Sequence, residues 1–461
     1  MSSDDLVVIG GGPAGISAAL AAAEAGIEVC LVDNAPALGG QIWRQGLGGG
    51  TTPASLQAAA AHPRVHRLGS TSVWHAASRE GGGATLYVSG PAGAHSLDAR
   101  TVVLATGASE LSLPFPGWDL PGVVTPGAAQ AMLKAHGVPI GRSVVVAGTG
   151  PFLWPVASGL IRAGVQVAAL VVAAPSRRAA WVAAGLLRHP ALVRQAAGYL
   201  RTVAASRTRV LPGRAVIAAH GTDAVRSVTV ARLDPRGRPL AAGRREIAAD
   251  AVCVGWGFVP AVEIARMLGC AETRDAARPM SAVTVDADQA TSVLGVFAAG
   301  EATGIAGAVA AAAEGTIAGA AAARLLGAVA TRRADRHVRG DRRRLRSARR
   351  AARVLDRGYP VPPRWPDWLT DETVVCRCEE VPWRHVADVI DAGITDVRAI
   401  KGQTRCGMGW CQGRVCGPAV QSAAAARAGL PIDAVGDLAT RPFATPVTVA
   451  ELAVLAVLAE E

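Results

Sequence analysis

Apolar residues recur along this chain in two periods, and their succession predicts its architecture. Leu6-Val-Val-Ile9 is a short continuous apolar run that reads as a buried strand, Ile16 to Ala25 has helical spacing, and Gly26 to Val32 is a second strand. Glycines punctuate the junctions. Gly10-Gly11-Gly12-Pro13-Ala14-Gly15 opens the helix, and Asp33 ends the second strand. The same succession restarts at Ser143-Val-Val-Val-Ala-Gly-Thr-Gly150, with its next strand over Val165 to Val172. Thr101 to Ala108 and Gly295 to Glu301 are further strands ending in small-residue turns, and a helix follows from about Gly307 to Leu326. Strands alternating with helices predict an α/β fold with parallel sheets.

The first glycine turn carries a specific chemistry. Gly10 allows the tight turn, Gly12 lets the backbone approach a pyrophosphate, and Gly15 permits close packing of helix on strand. The helix amino terminus, entered through Pro13 and Ala14, then faces the phosphates, while Asp33, followed by Asn34, can accept from ribose hydroxyls. The second turn begins correctly at Gly148 and Gly150, but Leu153 stands where a third glycine belongs. Its strand ends in Ala173-Ala174, with neither an acid for a ribose nor an arginine for a 2′-phosphate. A dinucleotide-type fold is expected there but NAD(P) is disfavoured. A retained nucleotide and a structural relic stay equally open.

Composition narrows the class. With 461 residues the chain has room for about three domains. Half of the residues are hydrophobic and 18% are charged, which excludes a disordered chain or a coiled coil. The net charge of +11 is concentrated: residues 331–358 hold twelve Arg and three Asp, a net of +9. Leu345, Ala348, Ala352 and Leu355 recur there at helical spacing, so the stretch predicts a basic amphipathic helix. A solvated linker helix is the first reading, a docking face for an acidic partner the second, lipid headgroups the third. With so local a charge, nucleic-acid binding is not expected. The longest apolar run, Gly304 to Ala330, carries Glu314 and Arg324, so no transmembrane segment is expected. The setting expected is cytoplasmic, with the membrane periphery left open.

Cysteine placement adds the most. Cys30 and Cys253 lie in strand-like runs and read as small buried hydrophobes, as does Cys270. No cysteine falls between Val32 and Val252, so neither nucleotide half carries the dithiol of a disulfide reductase. The other five, Cys376, Cys378, Cys406, Cys411 and Cys416, crowd into the carboxy-terminal region. Cys376 and Cys378 form C-x-C, and after thirty-two intervening residues Cys411 and Cys416 form C-x4-C. Four such thiolates can hold a [2Fe–2S] cluster or a zinc ion, and C-x-C argues for iron–sulfur. Cys406 and Cys411 are also separated by four residues. Cys411 and Cys416 are preferred because Gly407 and Gly409 suit a loop around a cluster.

Several of these segments carry a family resemblance. Gly39-Gly40-Gln41, the Thr106-Gly107 turn and the Gly300-Glu301 turn resemble the FAD-domain motifs of thioredoxin-reductase-type flavoproteins, in which an acid at the position of Glu301 binds the ribityl chain. The cysteine region resembles the bacterioferritin-associated-ferredoxin-like (BFD-like) [2Fe–2S] module, although that module ends in C-x2-C and has a small residue where Cys406 stands. With Leu113 to Val123, Val254 to Pro260 and Thr404 to Arg414, the whole resembles the FAD/[2Fe–2S] α-type subunits of heteromeric amino-acid and opine dehydrogenases. That group includes the A-type component of opine oxidase, the hydroxyproline and proline dehydrogenase α subunits and the B-type component of hydrogen cyanide synthase.

The resemblance implies two Rossmann-like dinucleotide-binding domains plus a small carboxy-terminal BFD-like domain. The boundaries expected are 1–122 with 246–330 for FAD, 123–245 for the NAD(P)-type domain, 331–372 for the basic linker, 373–425 for the cluster domain and 426–461 for a tail. It also implies that a separate β-type FAD subunit oxidises the C–N bond and this chain carries the electrons onward. Some members also hold FMN between subunits or include a small ferredoxin-like subunit. The alternative is a stand-alone NAD(P)H-dependent FAD/[2Fe–2S] reductase.

Overall fold

A computed structural model describes residues 4–44, 53–274, 280–329, 332–438 and 441–453. Residues 439–440 and 454–461 of the expected tail lie outside the described residues. In the first unit β1 (Asp4–Ile9), β2 (Val29–Val32) and β3 (Val65–Leu68) pair in parallel, with α1 (Pro13–Glu24) and α2 (Ala54–Ala61) as crossovers. Leu6, Val7 and Val8 are all fully buried, which is why this strand shows no alternation in sequence: both of its faces are covered. A meander of β4 (Ser72–Ser78), β5 (Ala84–Gly90) and β6 (Gly93–Leu104) follows. The first half of β6 pairs antiparallel with β5, and its second half lies parallel beside β1.

The chain leaves through β7 (Ala108–Glu110) and builds the second unit. Its elements are β8 (Val123–Val124), α3 (Pro126–His136), β9 (Ser143–Gly148), α4 (Leu153–Arg162), β10 (Gln166–Val172), α5 (Ser176–Leu186), α6 (Pro190–Ala205) and β11 (Arg209–Pro212). An antiparallel sheet of β12 (Arg214–His220), β13 (Ser227–Arg232) and β14 (Arg245–Ala248) covers it. Then β15 (Ala251–Gly255) enters the parallel sheet between β9 and β8. The chain therefore crosses back after Gly255 rather than at the expected residue 246. The apolar run 251–255 announces a strand, but only its pairing decides which sheet receives it. The return strand β16 (Phe258–Pro260) pairs with β7, so a two-stranded ribbon joins the units.

Back in the first unit come α7 (Glu263–Met267), the β17 (Glu272–Arg274) and β18 (Ser281–Val283) hairpin, β19 (Val296–Ala298) beside β6, and α8 (Ala308–Leu325). α8 is two-thirds Ala and Gly, and those small residues let it lie directly on α1. A Cβ on Gly315 or Gly319 would come within 2.0 or 2.1 Å of the Ala14 or Ala18 carbonyl oxygen.

The basic helix is α9 (Arg332–Gly358), and it is not a solvated linker. Val338 and Leu345 pack with Ala310, Ala313 and Ile317 of α8, and Ala351 packs with Val182 and Leu186 of α5. Its apolar stripe thus clamps the two units together. The last domain consists of a short hairpin, β20 (Val374–Cys376) and β21 (Val381–Pro382), with α10 (Trp383–Asp391), α11 (Val397–Thr404) and α12 (Gly417–Ala428). It shares one hydrophobic core with the second unit through Trp118, Trp256, Trp365, Trp368 and Trp383. Among the described residues no helix is long and apolar enough to cross a membrane.

Candidate functional site

The first crevice is assembled from turns that only glycine fits. Gly10 adopts φ +107°, and a Cβ there would stand 2.3 Å from the Ala105 carbonyl oxygen of the neighbouring strand end. At Gly15 a Cβ would stand 1.7 Å from the Gly10 oxygen, so α1 can rest on β1 only without a side chain there. Gly12 faces Gly40 across the mouth of the turn, with the Gly40 Cα 3.9 Å from its Cβ position. The amino terminus of α1, from Pro13 and Ala14, has no side-chain cap and no acid in its first turn. Its amides therefore remain available to an anion.

Asp33 is buried, and its carboxylate accepts the Gly11 N–H at 2.6 Å and the Ala35 N–H at 2.7 Å. Burial pushes its pKa up, against those two bonds. It shapes the turn and still has lone pairs for a ribose hydroxyl. Asn34 is exposed. Gln41 is exposed too and accepts from Arg44 at 2.7 Å. Thr106 donates to the Ala261 carbonyl at 2.6 Å, while Gly107, at φ +78°, borders open space.

At the far end, Glu301 turns back onto the α8 amino terminus, accepting from Gly307 N–H at 2.7 Å and Ala306 N–H at 3.3 Å. Burial raises its pKa while these amides lower it. Sequence reasoning missed the acid beneath it. Glu314, 1% exposed, accepts from Gly300 N–H and the Thr303 hydroxyl, both at 2.8 Å. Arg349 of α9 reaches in from above and donates to Glu314 at 2.8 and 3.1 Å. Glu314 is visible as the lone acid in an Ala/Gly helix, but only as a charge that argues against a membrane span. Arg349 does not stand out, being one of twelve arginines in its stretch.

The second crevice starts alike and ends differently. A Cβ on Gly148 would fall 1.8 Å from the Gly255 oxygen, whereas Gly150, at φ +96°, borders open space. Helix α4 begins only at Leu153, five residues after Gly148, while α1 begins three residues after Gly10. Leu153 is buried in the apolar core instead of contacting a ligand. The segment leaving α9 crosses the turn, where the Thr149 hydroxyl donates to the Pro360 carbonyl at 3.3 Å.

The carboxy-terminal thiols fall into two groups. Cys376, Cys406 and Cys416 are all buried, with their sulfurs within 4.8 Å of one another. Cys378 is exposed and lies against Cys411. Of the four expected ligands, Cys376 and Cys416 are thus brought together, Cys378 and Cys411 meet each other, and Cys406, outside the expected set, joins the first pair. The Gly407 N–H donates to Cys376 Sγ at 3.4 Å. Thiol donation from Cys406 and Cys416 drives the Cys376 pKa down, and those two thiols are correspondingly held up. Gly409 leaves no room for a side chain, since a Cβ would stand 2.2 Å from that of Cys378. Five free thiols wrapped by a hairpin and a glycine loop fit an iron–sulfur cluster.

Between this domain and the first unit lies a cavity of about 190 Å³ bordered by Glu263, Arg266, Arg414, Asp437 and Arg441. Arg441 is paired with Glu263 at 2.9 Å, and Arg266 with Asp437 at 3.5 Å. These contacts tie the cluster loop to the flavin-type unit.

Comparisons with known proteins agree with this geometry. The pyridine nucleotide-disulphide oxidoreductase model matches residues 4–315, and the BFD-like [2Fe-2S] binding domain matches residues 374–424. The A-type component of opine oxidase from Agrobacterium tumefaciens is 34% identical, over 97% of this chain and 91% of its own length. Hydrogen cyanide synthase subunit HcnB of Pseudomonas protegens is 31% identical over 89% of each. Among solved structures, L-proline dehydrogenase from P. horikoshii shares the fold with a TM-score of 0.72 at 24% identity, covering 98% of this chain and 79% of that one. Thioredoxin reductase of T. acidophilum matches with a TM-score of 0.53 at 19% identity, over 70% of this chain and 99% of its own. FAD and a [2Fe–2S] cluster are the cofactors that follow.

Proposed function

Since the chain belongs to the pyridine nucleotide-disulphide oxidoreductase family and carries a BFD-like [2Fe-2S] domain besides, we propose that it is the electron-carrying subunit of a heteromeric amino-acid or opine dehydrogenase. The observation that carries this reading is the contrast between the crevices: in one the helix begins three residues after the first glycine over an open glycine cradle, in the other it begins five residues after and the turn is crossed at Pro360. Electrons then enter from a partner rather than from NAD(P)H. When bound, the flavin supplies two-electron acceptance and the cluster one-electron exchange.

This chain's residues bind and orient. Gly10, Gly12, Pro13, Ala14 and Gly15 cradle the pyrophosphate, and Asp33 and Asn34 border the adenosine ribose. Gly40 and Gln41 close over the phosphates. Thr106, Gly107, Gly300 and Glu301 line the ribityl and ring end. Cys376, Cys378, Cys411 and Cys416 hold the cluster. Gly148 and Gly150 keep a fold without a dinucleotide. A cytoplasmic setting, which keeps thiols reduced, suits five free cysteines.

The partner proposed is a β-type FAD subunit that oxidises the C–N bond. The relatives named as subunits support it, and so does the outer face of α9. Arg336, Arg339, Arg343, Arg346, Arg350, Arg353 and Arg357 form an exposed row at alternating three- and four-residue spacing. The row extends about 30 Å along the helix. None of the seven is ion-paired among the described residues, so the row fits an acidic protein face. The test is anaerobic spectroscopy of the chain with and without its co-expressed partner. Flavin reduction by amino acid or opine only with the partner, and none by NADH, is the expected result. Rapid bleaching by NADH alone would restore the stand-alone reductase.

A further inference from the structure

We propose that the α5–α6 hairpin of the second unit is a seat for an anionic lipid bilayer, with its exposed apolar side chains entering the interface and the arginines beside them meeting the headgroups. Such a seat is independent of which partner delivers the electrons. The crossover from β10 to β11 takes both helices, and α6 barely enters the core. Of its sixteen residues only Val203 is buried, where it joins the apolar core beneath. Val193, Ala196, Ala197, Leu200 and Ala204 recur at three- and four-residue steps and are all exposed, so they form one apolar stripe at the surface. Leu187, at the corner between the helices, is 71% exposed and Leu200 50%, and Trp181 of α5 is exposed as well. Single apolar residues at a surface are ordinary, but a stripe along about 17 Å of helix marks a face built to be covered.

Charge selects what covers it. Residues 176–209 hold seven Arg and no Asp or Glu, and no acid occurs anywhere between Asp119 and Asp223. Arg177, Arg188, Arg194, Arg201, Arg207 and Arg209 are all exposed, and none forms an ion pair among the described residues. On α6, Arg194 and Arg201 line one edge of the stripe, about 100° round the helix from Val193 and Leu200. Leu, Val and Trp side by side with unpaired guanidinium groups is the composition of a helix lying in a membrane interface.

Other occupants fit less well. An acidic protein face would answer the arginines but not the apolar stripe between them, and a second copy would set its own arginines against these. α9 supplies the contrast. Its apolar residues are taken up by α8 and α5, so its outer face is charged alone and suits a protein. On α5–α6 exposed apolar area and unpaired positive charge coincide. Among the described residues no helix is long and apolar enough to cross a membrane, so the contact lies along the surface. It needs the apolar insertion and the headgroup attraction together, and it weakens with salt.

The test is sedimentation of the full chain with vesicles of phosphatidylglycerol and phosphatidylcholine, against phosphatidylcholine alone, at low and high salt. Wild type is expected to sediment with the anionic vesicles and to partition about tenfold or more weakly onto the neutral ones. Leu187→Asp with Leu200→Asp, both at exposed positions, should weaken binding to anionic vesicles by about tenfold or more. Arg194→Gln with Arg201→Gln should weaken it by about tenfold, less at high salt. An unchanged thermal melt shows that each variant is folded. Arg343→Gln with Arg346→Gln, the same charge removed from α9, should leave most of the binding. An equal loss from that α9 pair would place the contact on the other helix and overturn the proposal. Wild type that stays off anionic vesicles, or full binding by Leu187→Asp with Leu200→Asp, would overturn it too. So would vesicle binding abolished by the co-expressed partner, which assigns the face to protein. A dimer in sedimentation velocity that Leu187→Asp with Leu200→Asp dissociates would assign it to a second copy instead.

Discussion

Two copies of one strand–turn–helix plan sit side by side in this molecule. In both, the first glycine lies so close to the next parallel strand that no side chain fits: Gly10 against Ala105 and Gly148 against Gly255. They diverge at the third glycine position. Gly15 lets α1 start at once and lie on the turn, whereas Leu153 joins the apolar core and α4 starts late. Both helices have uncapped amino termini, but the first begins close to its turn while the second crevice is crossed by the segment leaving α9. Sheet geometry alone preserves a Rossmann-type fold. Ligand binding depends on how closely the helix end approaches the strand ends, and that depends on one residue.

The sharpest way to break this contrast is Gly15→Val. Its Cβ would lie 1.7 Å from the Gly10 oxygen, so α1 must move away. Loss of bound FAD and destabilisation by ~3 kcal/mol or more are expected, read as flavin absorbance and the urea midpoint.

A smaller effect comes from the clamp that α9 places on the first crevice alone. Arg349→Ala leaves the buried Glu314 with only the Gly300 amide and the Thr303 hydroxyl. Because Arg349 is 41% exposed, solvent discounts the pair. A loss of about 1–2 kcal/mol with weaker FAD retention is expected in thermal melts and flavin-release assays. Glu314→Gln in the same background should recover most of it.

The joint between the two units is probed by Glu110, on β7, whose carboxylate accepts the Gly127 N–H of α3 at 2.9 Å. Burial raises its pKa above the ordinary 4.5. The folded state then favours the protonated form. That contribution is present in full below pH 4.5 and is lost as pH rises through the raised value. Glu110→Gln should flatten this decline, with a higher melting temperature than wild type at pH 7 and little difference at pH 4. The smallest change belongs to the second turn. Gly150→Ala meets open space and only the strain of φ +96°, so about 1 kcal/mol should be lost with flavin content unchanged.

Much of this was readable from local pattern. The strands at Leu6–Ile9 and Val165–Val172, the glycine turns, the helix over 308–325 and the C-x-C and C-x4-C pairs are set by nearest-neighbour chemistry, and so is the helicity of the arginine-rich stretch. What escaped were contacts between residues far apart in sequence. Nothing near Ala251–Gly255 reveals that this strand returns to β9, and nothing near Arg349 marks it out from its neighbours as the partner of Glu314.

By itself, then, the sequence determined which segments become strands or helices, where a dinucleotide turn can form and how many thiols gather at the carboxy-terminal end. Backbone sterics, hydrophobic period and residue chemistry act over a few positions, and a sequence displays them directly. Only the tertiary structure decided that α9 clamps the two units, that Pro360 crosses the second turn, and that Cys406 joins Cys376 and Cys416 while Cys378 pairs with Cys411. Those outcomes depend on which buried surfaces meet. That is settled by the packing of the whole chain, because a side chain's neighbours across the core, not along the backbone, fix its burial and its hydrogen bonds.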